Sequence, residues 1–310
     1  MYQLTNLACI VQKNDPGGEL LEELRDQVVG QFKKFTEELP KATRSTFVNA
    51  PLRNTLLELA RVFGAKRVDT TYLLNIWINR EETSMIHAAM VKRLAMAVMQ
   101  SIFEHQPELF VGTLDTKNVV EVLEKREQLE SLVTQAALLF DIGKAKYLDY
   151  IAIQSRRLEK EERKRTRRHA VEGCKILQSL QFPQMICDVA LGHHKAYDGK
   201  SGYPESFDNT KSPARFLIDL IRICDSVDAA TDTIGRIYNK VKAFPEVLQE
   251  LKFGAGRLYN PGIVALIDTD EELKDELSYL CGAGRIAVYY EAYHEFLGAD
   301  RVEKPEHEIL

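Results

Sequence analysis

No stretch of this 310-residue chain stays apolar for the roughly 18 residues that a membrane span needs, so transport or anchoring by a transmembrane helix is not expected. The opening text, MYQLTNLACIVQKND, lacks a basic leader ahead of a long apolar stretch. No secretory signal is expected, and the cytoplasm is the expected location. Cysteine is sparse: Cys9, Cys174, Cys187, Cys224 and Cys281 are odd in number and contain no CxxC pair. That excludes a disulfide framework or a zinc ribbon and predicts small buried hydrophobes. An excess of positive charge is also missing, with 41 Lys and Arg against 46 Asp and Glu. A protein that coats a polyanion is therefore not expected, although a local basic patch could still meet one phosphate-bearing ligand. Repeats, low-complexity tracts and hairpin turns are absent. What remains is the composition of a globular protein, 45% hydrophobic and 28% charged, long enough for one large domain or two ordinary ones.

The apolar residues that are present recur at helical spacing almost throughout, which predicts an all-α fold. Leu21, Leu24, Val28, Phe32, Phe35 and Leu39 mark one helix that stops at Pro40. Pro51 opens a second in the first-turn position where its missing N–H costs nothing, and Gly64 closes it. Residues 1–78 are read as an N-terminal helical region, with the turn at Asn14–Gly18 setting off a short strand at the extreme terminus. From Glu81 a long helix carries Ile86, Met90, Leu94, Val98 and Ile102 on one face, with His87 beside it, until Pro107. The charged segment 108–130 reads as a surface excursion before an apolar helix from Leu132 to Leu139. Further helices are predicted at about 158–180, 183–194, 212–232, 236–252 and 271–297, with loops at 198–213 and 254–262.

Between Asp141 and Asp225 the chain sets out residues that bind metals: Asp141 in LLFDIGK, His169 in RHAVEG, His193 and His194 in GHHKAYDGKSGYP, and Asp225 in RICDSVDAATD. Each falls on a helix or at a helix end, so residues distant in sequence can meet inside a bundle. A carboxylate can bridge two ions while neutral imidazoles complete each shell, the chemistry of a site that activates water. Each residue also has a plainer reading. His87 could be a hydrogen-bonded core histidine, His169 one more cation after the basic run 156–168, and one of Asp225 and Asp228 a salt-bridge partner. The run itself, eight Lys or Arg against three Glu, reads first as a solvated helix face and second as a funnel for an anionic nucleotide.

Taken together, DIGK at 141–144, His169 with Gly173 four residues on and Ile176-Leu177 behind it, GHH at 192–194, DGKSGYP at 198–204, DSVDA at 225–229 and the segment 253–267 resemble the HD-GYP branch of the HD phosphohydrolase superfamily. The resemblance covers about residues 80–297. It implies an all-helical bundle at 79–300, between the N-terminal region and a polar tail at 301–310. It further implies one or two divalent ions, iron or manganese favoured, and attack of activated water on the phosphorus of a cyclic dinucleotide such as cyclic di-GMP. Carried over residue by residue, His87, Asp141 and Asp225 fall to one metal and Asp141, His169, His193 and His194 to the other. Asp141 is the bridging, catalytic carboxylate and Asp228 a structural one. Lys144 neutralises a substrate phosphate oxygen, and Tyr203 and Pro204 shape the pocket. The partners implied are a cyclic dinucleotide or another small phosphoester and a signalling protein, with a homodimer left open and neither a nucleic-acid polymer nor a membrane.

The departures matter as much. Phe140 stands where the histidine of the HD pair belongs and has no lone pair to give, so only the second half-site keeps its full set. Thr83 occupies a place where an acid would serve a third metal. Lys195 replaces the acid after the histidine doublet, bringing positive charge that weakens metal binding or grips phosphate. The 53-residue step from His87 to Phe140 is long, consistent with an insertion around 105–130, and insertions in loops cost little. Two functions stay open: a divergent metal-dependent phosphodiesterase, or a catalytically silent relative that binds a cyclic dinucleotide or a partner.

Overall fold

The computed structural model describes residues 82–147, 158–233 and 240–297, with isolated positions between 10 and 27. Almost all of the N-terminal region, the tail at 301–310, and Cys9 and His307 lie outside the described residues. Within them the fold is all-α, as the periodicity predicts. In chain order the helices are α1 (Glu82–His105), α2 (Val119–Glu124), α3 (Arg126–Leu139), α4 (Lys160–Thr166), α5 (His169–Ser179) and α6 (Gln184–Gly192), followed by α7 (Arg215–Thr231), α8 (Phe244–Gly254), α9 (Pro261–Thr269), α10 (Glu271–Cys281) and α11 (Arg285–Leu297). No described helix is long and apolar enough to cross a membrane.

Helix α1 forms the axis of the bundle, with α3, α7, α10 and α11 all packed against it. The predicted stripe from Ile86 to Ile102 is buried, but so are Met85, Ala88, Ala89, Val91, Ala95, Ala97 and Met99 on other sides. A helix apolar all round belongs in the interior, and four alanines among these residues let its neighbours come close. His105, at the far end of α1, lies about 27 Å from His87 at 1.5 Å per residue. There it faces Asp270 at 3.6 Å, far from the ligand cluster.

The segment 108–130 is not a surface excursion. Phe110, Val122 and Leu129 are fully buried, and Phe110 stacks on Phe103 at 5.4 Å and meets Phe216 edge-on at 4.8 Å. Short helices carry Phe110 and Val122, and the first turn of α3 carries Leu129; Asn118 caps α2 by accepting from the Glu121 N–H. Their spacing follows contacts with distant helices, so no local period announces them. The predicted helix 158–180 is broken between Thr166 and His169, and 271–297 is broken at Gly282–Gly284. Helix α9 was expected in part as loop. Pro261 opens it in the first turn and the Asn260 side chain caps it by accepting from Gly262 and Ile263, a start signal of the ordinary kind.

Helix α7 carries one carboxylate that the bundle tolerates poorly. Asp219 is 2% exposed; Oδ2 accepts from Asn260 Nδ2 at 3.1 Å, while Oδ1 has no hydrogen bond. Burial raises its pKa from 3.8 to about 6, against the pull of Asn260, Arg215 and Arg222. Because the folded value lies above the unfolded one, Asp219 costs the fold nothing below about pH 3.8, and the cost is complete above about pH 6. Asp219→Asn is therefore expected to stabilise the chain above pH 7 by up to about 3 kcal/mol. In urea melts across pH, the gain should disappear below pH 4; a gain that is the same at all pH values would overturn this account.

Candidate metal centre

The site begins where α3 ends. Phe140 is the C-cap of α3, and the Lys144 N–H donates to the Asp141 carbonyl at 2.8 Å, winding residues Ile142–Tyr147 into a 3₁₀ turn. That turn lies directly on α5. A Cβ on Gly143 would sit 2.0 Å from the His169 carbonyl oxygen and 2.5 Å from the Gly173 nitrogen, so only glycine permits the contact that sets Asp141 beside His169. The second such approach is at Gly202, where φ is +93° and a Cβ would meet the His194 carbonyl oxygen at 2.0 Å. This glycine folds the loop 198–204 over the histidine doublet.

Three imidazoles converge there. His169 opens α5 and donates from Nδ1 to the Thr166 carbonyl at 2.7 Å. His193, the C-cap of α6, does the same to the Ala190 carbonyl at 3.0 Å. Backbone carbonyls thus hold the Nδ1 protons, so each Nε2 points inward and offers its lone pair when its ring is neutral. These Nε2 atoms face one another at 3.2 Å, an arrangement that repels unless a cation stands near. His194 completes a group of three whose ligand atoms lie within 4.8 Å of one another. Asp141 Oδ1 sits 3.2 Å from His169 Nε2 and 3.7 Å from His193 Nε2, yet this buried oxygen has no properly aligned hydrogen bond. Lone pairs from three imidazoles and an unsatisfied carboxylate oxygen fit a divalent cation of the iron, manganese, zinc or nickel kind.

The other half of the cluster is closed by its own contacts. His87 Nε2 is 2.9 Å from Asp225 Oδ1 and 4.0 Å from Asp141 Oδ2, while Nδ1 is 2.6 Å from Asp228 Oδ2. Asp225 also approaches His194 Nδ1 at 4.0 Å. Phe140, 1% exposed, wedges between the halves, its ring edge-on to His87 at 5.8 Å and to His193 at 4.9 Å. Apolar bulk thus fills the place where a seventh ligand would stand.

Charge follows this division. Burial opposes charge on His87, but hydrogen bonds to Asp225 and Asp228 outweigh it and raise its pKa from 6.5 to about 8. Burial lowers His193 to about 4; burial and the neighbouring His193 lower His194 as well. These two rings are neutral at pH 7 and available as ligands. Burial also opposes charge on Asp141, yet Lys144 and then His169 hold it well below the carboxylate range. The Lys144 ammonium lies 2.5 Å from Asp141 Oδ2.

The remaining residues singled out from sequence surround this centre to different degrees. Tyr203 lies over His194, ring centroids 4.4 Å apart. Pro204 follows it, half-buried, through a cis peptide bond. Lys195 is buried, and among the described residues no carboxylate lies within salt-bridge distance of it. The described part of the basic run is largely solvated, but Arg167 reaches over the Tyr203 ring at 5.4 Å. Arg285 is fully buried against Asp228, 57 residues away, and nothing in its local sequence announces that contact.

A family model described as HD domain matches residues 88–263, more than half of the chain. A cyclic di-GMP phosphodiesterase of Thermotoga maritima is 32% identical over 160 residues, 50% of this chain and 42% of that protein. The cyclic di-GMP phosphodiesterase response regulator RpfG of Xanthomonas campestris pv. campestris is 30% identical over 166 residues, 53% of this chain and 42% of that one. The matched segment therefore spans less than half the length of either relative. A solved HD domain of the L. monocytogenes phosphodiesterase PgpH, in complex with cyclic-di-AMP, is 18% identical over 76% of this chain and 99% of that one, with a TM-score of 0.36, too loose a likeness to draw on.

The notch at Gly143 can be tested against its counterpart. A Cβ on Gly173 would come no nearer than 3.2 Å to Gly143, which a small adjustment relieves. Gly143→Ala is expected to cost about 1–3 kcal/mol or more and Gly173→Ala distinctly less, read from urea unfolding. Equal costs would mean that the turn does not lean on α5 as described.

Proposed function

We propose a function from one fact: this chain belongs to the HD domain family, in its HD-GYP branch. The function is hydrolysis of a cyclic dinucleotide, such as cyclic di-GMP, by a metal-dependent phosphodiesterase of divergent type. The observation that carries it is the convergence of His169, His193 and His194, with the unsatisfied Oδ1 of Asp141 beside His169 and His193. These four residues would hold a divalent ion, iron or manganese by preference, and His87 and Asp225, sharing Asp141, would hold a second more weakly. The chemistry such an ion supplies when bound is Lewis acidity towards water and a phosphoryl oxygen.

The chain's own groups do the rest. Asp141 faces both halves through its two oxygens and keeps them in one electrostatic unit. Lys144 brings an ammonium to the same carboxylate, where it can neutralise a phosphate oxygen of the substrate. Lys195 offers a second positive charge that no carboxylate among the described residues occupies. Tyr203 and Pro204 wall the pocket beside His194 and hold the substrate against it. Residues 79–300 would form the hydrolytic unit, and residues 1–78 the part that meets a signal or a partner.

One observation favours a second reading. Phe140 fills the space between the halves, and a two-metal hydrolysis needs both; a chain with one usable half-site could bind a cyclic dinucleotide without cutting it. Metal content after purification without chelator, followed by incubation with cyclic di-GMP and mixed cyclic dinucleotides in manganese or iron(II), separates the readings. The expected result is bound metal and a linear product; absence of both removes the enzyme. Phe140→His is expected to raise turnover at least tenfold and to raise metal content towards two ions per chain. Activity that appears only in that variant would identify the natural chain as the silent relative.

A further inference from the structure

Helix α11 lies outside the residues that match the family, 88–263, yet its first side chain reaches into the site. Arg285 is 2% exposed and heads the largest fully buried side chains. Its Nη1 is 2.6 Å from Asp228 Oδ1 and 3.8 Å from Asp232 Oδ1, and its Nη2 donates to Thr231 Oγ1 at 2.9 Å. The other oxygen of Asp228 receives His87 Nδ1 at 2.6 Å, and His87 Nε2 faces Asp225 at 2.9 Å. An unbroken line of short contacts thus runs from α11 through α7 to α1 and back to the ligand cluster.

Stability alone accounts poorly for this arginine. Burying a guanidinium is costly even when it is paired, and Arg285 Nε is left without an acceptor, which costs about 1–3 kcal/mol more. The nitrogens that are satisfied are the two that grip the C-terminal end of α7. We propose that Arg285 is a positioning residue for the metal centre. By holding Oδ1 of Asp228 it fixes the carboxylate so that Oδ2 receives Nδ1 of His87, and the ring then presents Nε2 to Asp225 and Asp141. A carboxylate that takes the outer nitrogen of a ligand histidine sets both its orientation and its basicity. The forked guanidinium suits this role because it binds Asp228 and Thr231 together at fixed angles, whereas a lysine offers a single point of charge. Phe140 makes the support more necessary, since on that side His87 meets only the edge of an aromatic ring.

This inference rests on the reading of the cluster as a metal centre, and the experiment keeps the two apart. In the metal-free full chain, the hydrogen-bonded Nδ1 proton of His87 is followed by proton NMR. Manganese(II) binding is then titrated by the electron paramagnetic resonance of the free ion, for the natural chain, Arg285→Met and Arg285→Lys. The expected result is a sharp Nδ1 resonance that broadens or disappears in Arg285→Met, with affinity for the second, more weakly held manganese ion about 10–100-fold weaker and Arg285→Lys in between. A displaced resonance with unchanged affinity would make Arg285 merely structural and overturn the proposal. If Arg285→Met does not fold, Arg285→Lys decides: a folded lysine variant with undiminished affinity overturns it equally. A natural chain that takes up no manganese, iron(II) or zinc would sink the metal centre itself, whatever the resonance does, and this inference with it.

Discussion

The structure depends on keeping the Asp141 carboxylate charged where almost no water reaches it. Asp141 is 1% exposed, and removing a partner from a buried ion commonly costs about 3–5 kcal/mol. The fold meets this demand locally, with Lys144 three residues on, and at long range, with imidazoles from α5 and α6. The 3₁₀ turn has to lie on α5 for the second part to work, and the missing side chain at Gly143 allows it. The helix ends, the glycine and the charge are therefore one constraint seen from three sides.

The same accounting extends across the cluster. Asp141, Asp225 and Asp228 bring three negative charges, and Lys144, Arg285 and a protonated His87 answer them. His193 and His194 stay neutral because burial drives protons off them. The two halves are consequently unequal in kind. One presents lone pairs and an unsatisfied oxygen to a cation, while the other has satisfied its carboxylates internally, with Phe140 as its wall. On the proposed reading, an ion entering the second of these must compete with a proton on His87, whereas His193 and His194 in the first are already neutral.

Local sequence announced most of the helices and failed in a consistent way. Helix α1 was legible because its apolar residues recur at helical spacing, although one face was expected and nearly the whole helix is covered. The segment around Phe110, Val122 and Leu129 was misread as surface because charged neighbours dominate the composition there, and these three residues are buried by helices distant in sequence. The break between α4 and α5 is not encoded locally for a related reason. The basic run continues helical composition up to His169, and only the docking of His169 on the turn after α3 decides where α5 starts.

The sequence by itself determined which chemistry is available: four imidazoles and two carboxylates in an order that resembles the HD-GYP branch, the loss of the histidine at Phe140, and a helical fold to carry them. Residue type and spacing are local properties, and they can be read without coordinates. Only the tertiary structure decided which ring nitrogens face one another, that Asp228 bridges Arg285 and His87 Nδ1 while Asp225 meets His87 Nε2, and that Phe140 stands between the halves. Those outcomes depend on side-chain directions set by packing between helices up to 141 residues apart, and no local pattern encodes a direction of that kind.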